Sequence, residues 1–199
     1  MNINPMILLA VKMIMVSVIS LTVGIMLHNV MKKQGFKTGK AITMILSVLI
    51  ALGLTLRFGV SVYTFQGLFL FFLLLYASVS DITSRIVANH MSISILALSL
   101  ISVPNIGFTS MLIGGAVTAA IQIGASLFSH GRYGGADWKI ASSCAFLLGW
   151  QRGLAGLVVG LFIGIIFTMV CNKIKNRRND EGFALIPFIS IGMMAMFFI

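Results

Sequence analysis

The sequence predicts an all-α protein, a polytopic bundle of transmembrane helices, and two observations carry this prediction. Of its 199 residues, 59% are hydrophobic and only 9% are charged, whereas soluble domains carry about 25% charged residues. In addition, the apolar runs between polar breaks are too long for the core helices of a soluble protein. The length fits one membrane domain, 1–199, without a separate soluble domain. The first apolar run is too long for a signal peptide, so we expect no cleaved signal.

Eight apolar segments are candidate membrane helices, separated by polar or turn-forming pieces that contain glycine, proline and basic residues. Two of them, 41–56 and 138–150, are shorter than the ~20 residues that a perpendicular span usually needs. We keep 138–150 as a span, because without it the basic cluster at 173–178 would lie outside. The eight segments are 6–28, 41–56, 62–80, 91–106, 110–128, 138–150, 153–172 and 183–199.

The basic residues are distributed unequally between the two sides that eight spans would create. The loops at 29–40, 81–90, 129–139 and 173–182 fall on one side, and they hold 11 of the 14 Lys and Arg residues. The positive-inside rule predicts that this side is cytoplasmic and that both termini are outside. The net charge of +10 is then mainly a topology signal. We expect no nucleic-acid partner, because the basic residues are spread over short loops without interleaved aromatics.

Two acidic residues stand apart from the rest of the chain. Only four Asp and Glu residues occur, and two of them lie together in the basic stretch at 173–181. Asp81 instead ends the apolar run 65–80, and Asp137 follows a glycine-rich turn just before another apolar run. A charged side chain costs roughly 2.5–3.5 kcal/mol at the centre of a membrane helix. The predicted topology places both acids at the cytoplasmic face, which suggests a functional pair.

Two neighbouring carboxyl groups could catalyse hydrolysis without a metal or a cofactor. They cannot both ionise cheaply, so one retains a proton while the other activates water. A proton- or cation-coupled transporter is the alternative, although its carboxylates normally lie near mid-membrane. Each Asp could also merely cap a helix, and the protein could be an assembly component without catalysis. Cys144 and Cys171 have no metal-ligand spacing, so we expect no metal site.

The residues around both acids resemble the signatures of a known family. Gly134-Gly135-Ala136-Asp137-Trp138-Lys139 resembles the G-x-G-D-x-K motif of the type IV prepilin leader peptidases, which are aspartic proteases of the membrane. The run 81–89 (DITSRIVAN) resembles the family's other motif, an Asp at a helix end followed by a run that closes in I-P-N. The two motifs and the helices between them cover about 65–172. This chain departs from the motifs at Ala136, in place of the second Gly, and at Ala88, in place of Pro.

The resemblance implies an aspartic endopeptidase of the bacterial inner membrane. It would remove the basic leader of type IV prepilins or pseudopilins, for a pilus or a secretion system, at the cytoplasmic face. The short 31–40 loop lacks the cysteine pairs of longer members, so the resemblance implies the protease-only kind and leaves amino-terminal methylation in doubt. No cofactor is implied, and the oligomeric state stays open. The implied catalytic residues are Asp81 and Asp137, and the residues that would shape the site or bind substrate are Gly134, Gly135, Ala136, Lys139 and Asn89.

Some of these residues also have purely structural interpretations. Asn89 could hydrogen-bond a peptide backbone or cap a helix that begins near Met91. Lys139 could interact with one of the carboxylates or only anchor a helix end. A stripe of glycines at 156, 160 and 164 predicts close packing of two helices, within the bundle or between subunits.

Overall fold

The computed structural model describes residues 5–36, 38–128, 135–175 and 183–199. These residues form α-helices and contain no strand, which confirms the all-α prediction. A 3₁₀ turn at Leu100–Ser102 connects α4 to the one-turn helix α5. The helices are α1 Pro5–Lys33, α2 Lys40–Phe58, α3 Val62–Ser84, α4 Asn89–Ser99, α5 Val103–Ile106, α6 Phe108–Phe128, α7 Gly135–Leu148, α8 Trp150–Lys175 and α9 Ile186–Phe198.

Each of the eight predicted segments contains a helix, but their lengths differ from the prediction. The segment 41–56 is not short, because α2 has 19 residues. The segment 138–150 is short as expected, since α7 has 14 residues, about 21 Å at 1.5 Å per residue. The segment 183–199 is also short, because α9 has only 13 residues. Neither α7 nor α9 spans a hydrocarbon core of about 30 Å if it stands perpendicular.

Six helical stretches in the described residues are long and apolar enough to cross a membrane, so the chain is a multi-pass membrane protein. The sidedness of its loops stays a prediction. The six stretches are Met6–Lys33, Lys40–Phe58, Val62–Ser84, Asn89–Ile106, Phe108–Leu127 and Trp150–Cys171.

The first of two compact units comprises the described residues up to Phe72, together with Phe198. In it, α1 and α2 pack closely. The Ser20 hydroxyl donates to the Ser47 carbonyl at 2.8 Å, and a Cβ added at Gly24 would collide with the Ser47 side chain. A small residue is therefore needed where these two helices cross.

The second compact unit runs from Leu73 to Phe197 and includes Ile199, so it contains both Asp81 and Asp137. Its centre is α7, which contacts α4, α6 and α8 and buries most of its side chains, Cys144 among them. Gly149 joins α7 to α8 with φ +79°, a conformation that side chains other than glycine rarely adopt. These contacts with three neighbouring helices pack α7 within the unit despite its short length.

Candidate active site

Asp81 lies in the last turn of α3, and the end of that helix is fixed by local hydrogen bonds. The Arg85 N–H donates to the Asp81 carbonyl at 3.1 Å, and Arg85 has φ +56°, as expected of a helix that ends in a left-handed residue. The Ser80 hydroxyl donates to the Ile86 carbonyl at 2.6 Å, and the Ser84 hydroxyl lies 2.8 Å from the Ser80 carbonyl and 3.2 Å from the Ile86 carbonyl, to one of which it donates. These bonds set the position from which the Asp81 side chain projects.

Ala88 has backbone angles that a proline could adopt, although this chain has no proline there. Ala88 has φ −70° and ψ 138°, and a proline ring would hold φ near −65°. The chain therefore turns from α3 into α4 as a proline at this position would require. The next helix begins at Asn89 with Ala88 as its N-cap and without a side-chain cap, so Asn89 does not cap a helix near Met91.

The carboxyl group of Asp81 is buried, with 8% of the residue exposed. Its Oδ2 accepts a hydrogen bond of 3.2 Å from the N–H of Ile186, the first residue of α9. The amino end of a helix carries a partial positive charge from its unpaired N–H groups. Asp81 therefore receives its support from a helix that lies more than 100 residues further along the chain.

Asp137 is equally buried, at 8% exposed, but it lies at the opposite kind of helix end. It occupies the first turn of α7, where the partial positive charge of its own helix favours a carboxylate. The glycine-rich turn expected before Asp137 is wrong for Gly135 and Ala136, because both already belong to α7. Gly134 lies outside the described residues.

The replacement of the motif's second glycine has no conformational consequence here. Ala136 is helical, and among the described residues Arg85 alone combines a side chain with a positive φ. A Cβ added at Gly135 would meet no atom within 4 Å. The described part of the motif therefore requires neither the flexibility nor the small size of glycine, because it folds as the first turn of a helix.

Asn89 and Lys139 are brought together by the fold. The Nζ of Lys139 donates to Oδ1 of Asn89 at 2.8 Å, and this bond joins one residue of each motif. Asn89 is exposed and Lys139 is partly exposed, with its ammonium 5.8 Å from the ring centroid of Trp138. The two motifs are thus linked through polar side chains at the open edge of the site.

The partner of Asp81 on α9 could not be identified from the motifs. Ile186 is an apolar residue, and it contributes through its backbone N–H. The one available signal was Pro187, which lies at the start of α9, where proline favours the first turn of a helix. That signal predicts where α9 begins, but it does not predict which side chain its N–H groups meet.

The helical spans and two buried acids define a multi-pass membrane protein with an acidic site. The model of the type IV leader peptidase family matches residues 68–169, just over half of the 199-residue chain. The chain therefore belongs to this family and is a peptidase of the leader-peptidase kind. Comparisons with curated proteins and with solved structures give no match. The matched range contains both acids, Asn89 and Lys139, and it ends before α9.

Proposed function

We propose that this protein is an aspartic endopeptidase of the bacterial inner membrane. It removes the basic leader peptide of type IV prepilins or pseudopilins at the cytoplasmic face. The observation that carries the proposal is the pair of buried acids, Asp81 and Asp137, in the matched range of a peptidase family. In a chain with only four acidic residues, burial of these two is difficult to explain by solubility or topology.

The two carboxyl groups would divide the work of peptide hydrolysis. As a pair that shares one proton, one carboxylate removes a proton from the attacking water, and the other carboxyl group protonates the departing amine. Neither step needs a group beyond the side chains of the site. Burial excludes bulk water around the reacting atoms, which strengthens the electrostatic interactions on which such a pair depends.

The substrate would approach from the cytoplasm with its membrane helix still in the bilayer. The basic loops of the peptidase would lie against anionic lipid headgroups on that side. The Lys139–Asn89 pair, at 2.8 Å, lies between the motifs and is only partly buried. We assign it the task of holding the peptide backbone close to the cleavage site, through the amide and ammonium hydrogens that remain available.

Cleavage of a co-expressed prepilin tests the proposal. Asp81→Asn and Asp137→Asn keep the size of each side chain and remove its ability to exchange a proton. We expect each variant to lose at least about a hundredfold in cleavage rate, in line with the contribution of a general acid or base. Asp180→Asn, an acidic residue outside both motifs, is the matched control and should cleave normally. Normal trimming by either motif variant contradicts the aspartic mechanism.

Accessibility of single cysteines tests the topology independently of catalysis. We expect cysteines placed at positions 85 and 135 to react with a membrane-impermeant reagent from the cytoplasmic side, and to be protected in intact cells. Labelling of the two positions from opposite sides contradicts a shared cytoplasmic site, whatever the cleavage assay shows.

A further inference from the structure

Helices α8 and α9 pack with their backbones in contact. A Cβ added at Gly160 would lie 2.8 Å from both the Cα of Ile189 and the carbonyl oxygen of Phe188. A Cβ added at Gly192 would collide with the carbonyl oxygen of Gly156 and would lie 2.5 Å from the N of Gly160. Glycine is thus required on both helices, because any side chain would force them apart.

The same helix α9 is held against α3 by two polar contacts. The N–H of Ile186 donates to Asp81 Oδ2 at 3.2 Å, and the Ser78 hydroxyl donates to the Ser190 hydroxyl at 3.1 Å. Residues 186 and 190 are one turn apart on α9, as 78 and 81 are on α3. The order of the pairs is reversed along the chain, so α9 runs antiparallel to this part of α3.

We propose that α9 is the positioning element for Asp81, and that Gly160 and Gly192 are positioning residues for the cleavage reaction. This proposal rests on the proposed function, since it explains how Asp81, one of the two proposed catalytic acids, is oriented. Its central element, α9, lies outside the range matched by the family, 68–169, because α9 begins at Ile186, whereas Gly160 lies inside that range.

The position of Asp81 makes such an element necessary. The last turn of a helix has unpaired carbonyl groups and a partial negative charge, which disfavours a carboxylate. A fixed N–H group from another helix offsets this effect. A displacement of about 1 Å at a reacting group can cost on the order of a hundredfold in rate. The glycine contacts determine where the N–H of Ile186 lies, and so they act on the reaction through Asp81.

The glycine stripe on α8 supplies its own matched control. A Cβ added at Gly164 would meet its nearest neighbours, in Leu185 and Phe188, at 3.5 Å, an ordinary van der Waals distance. Gly160→Ala and Gly164→Ala therefore introduce the same methyl group on the same face of one helix, but the first displaces α9 and the second does not. Gly124→Ala, in α6, adds a methyl group where no atom lies within 4 Å.

Steady-state cleavage of a prepilin by the purified full chain in nanodiscs is the first measurement. We expect Gly160→Ala to lower kcat by about tenfold or more, with KM within about twofold of the parent value. Gly164→Ala and Gly124→Ala should retain both constants. A rise in KM without a change in kcat for Gly160→Ala contradicts a positioning role at Asp81.

Hydrogen exchange at the Ile186 amide is the second measurement, and it does not depend on catalysis. We expect exchange to be about tenfold faster in Asp81→Ala and in Gly160→Ala, because the amide loses its acceptor or moves away from it. Asp81→Asn retains an acceptor oxygen, so the Ile186 amide should stay protected. Gly164→Ala leaves α9 in place, so the amide should stay protected in this variant too. Unchanged exchange in Asp81→Ala overturns the proposed link between α9 and Asp81.

The two measurements together distinguish a positioning role from a general structural defect and from a wrongly assigned substrate. Loss of kcat in Gly160→Ala with normal exchange at Ile186 would show a merely structural defect and overturn the proposal. If the parent protein cleaves no prepilin while exchange follows the expected pattern, the proposed substrate is wrong and the contact between α9 and Asp81 stands. If Gly160→Ala does not fold, the pair Asp81→Ala and Asp81→Asn still decides the exchange measurement.

Discussion

The two acids of the site lie at opposite kinds of helix end, and their surroundings differ accordingly. Asp137 lies in the first turn of α7, where the dipole of its own helix favours a negative charge. Asp81 lies in the last turn of α3, where the helix dipole opposes a negative charge. Both are buried to the same extent, at 8% exposed. The second position therefore needs support from elsewhere, and α9 supplies it through the N–H of Ile186.

This difference shows which part of the site is local and which part depends on tertiary structure. The helix dipole that favours a negative charge on Asp137 comes from its own helix, α7. The support of Asp81 depends on the packing of α8 against α9, which brings Ile186 to a residue 105 positions earlier. Variants that affect the two acids unequally can therefore test the comparison.

Among the proposed variants, the substitutions of Asp81 should have the largest effect on stability. Asp81→Ala leaves the Ile186 N–H buried without its acceptor, at a cost of about 1–3 kcal/mol. Asp81→Asn keeps an oxygen at that position and should cost clearly less, although we expect both variants to be inactive. Denaturant unfolding in detergent measures the difference. Equal stability of the two variants would mean that the 3.2 Å contact contributes nothing to the folded state.

The same pair of substitutions at Asp137 sharpens the comparison. There the support we identify comes from the helix dipole, which is worth about 0.3–1 kcal/mol. We expect Asp137→Ala and Asp137→Asn each to lose that contribution, so the difference in stability between them measures the hydrogen bonds that Asp137 accepts. A larger difference at Asp137 would show that its burial depends on a tertiary partner as strongly as that of Asp81.

Loss of the hydrogen bond between Lys139 and Asn89, which joins the two motifs, should have a modest effect on cleavage. Lys139 and Asn89 are 2.8 Å apart, but solvent reaches both side chains, which reduces the value of a charged hydrogen bond to about 0.5–1 kcal/mol. We expect Asn89→Ala and Lys139→Met each to lower kcat/KM by about two- to fivefold, as an estimate from that range. The double variant should be no worse than the more severe single variant. Full additivity would show that the two residues act independently.

The sequence predicted the class of fold well, because it depends on strong local signals, whereas the role of the two acids stays a prediction. Long apolar runs determine membrane helices by their length, and an acid at the edge of such a run is conspicuous in a chain with four acidic residues. The lengths of two other segments were less predictable. The segment 41–56 forms a helix of 19 residues, and the segment 183–199 contains a helix of only 13 residues.

The roles of individual site residues were predicted less well, for physical reasons. The motif indicated a turn at Gly135 and Ala136, but these residues start a helix, because alanine favours helical conformations more than glycine does. The partner of Asp81 is a backbone group on an apolar residue, Ile186, so side-chain chemistry carried no signal for it. The pairing of the two acids as a dyad stays a prediction that cleavage assays test.

Ala88 gives the smallest effect and tests the local side of the comparison. Its φ of −70° and ψ of 138° already match those of a proline, so Ala88→Pro restricts the unfolded chain without straining the folded one. We expect it to raise stability by about 0.4–1 kcal/mol and to leave cleavage unchanged, since the end of α3 is already held by Ser80 and Ser84. Ala88→Gly is the matched control: it leaves φ unrestricted, so it should not reproduce the stabilisation expected of proline. If Ala88→Pro instead increases cleavage, the turn after Asp81 limits the activity of this chain, and support from α9 alone is not sufficient to position that acid.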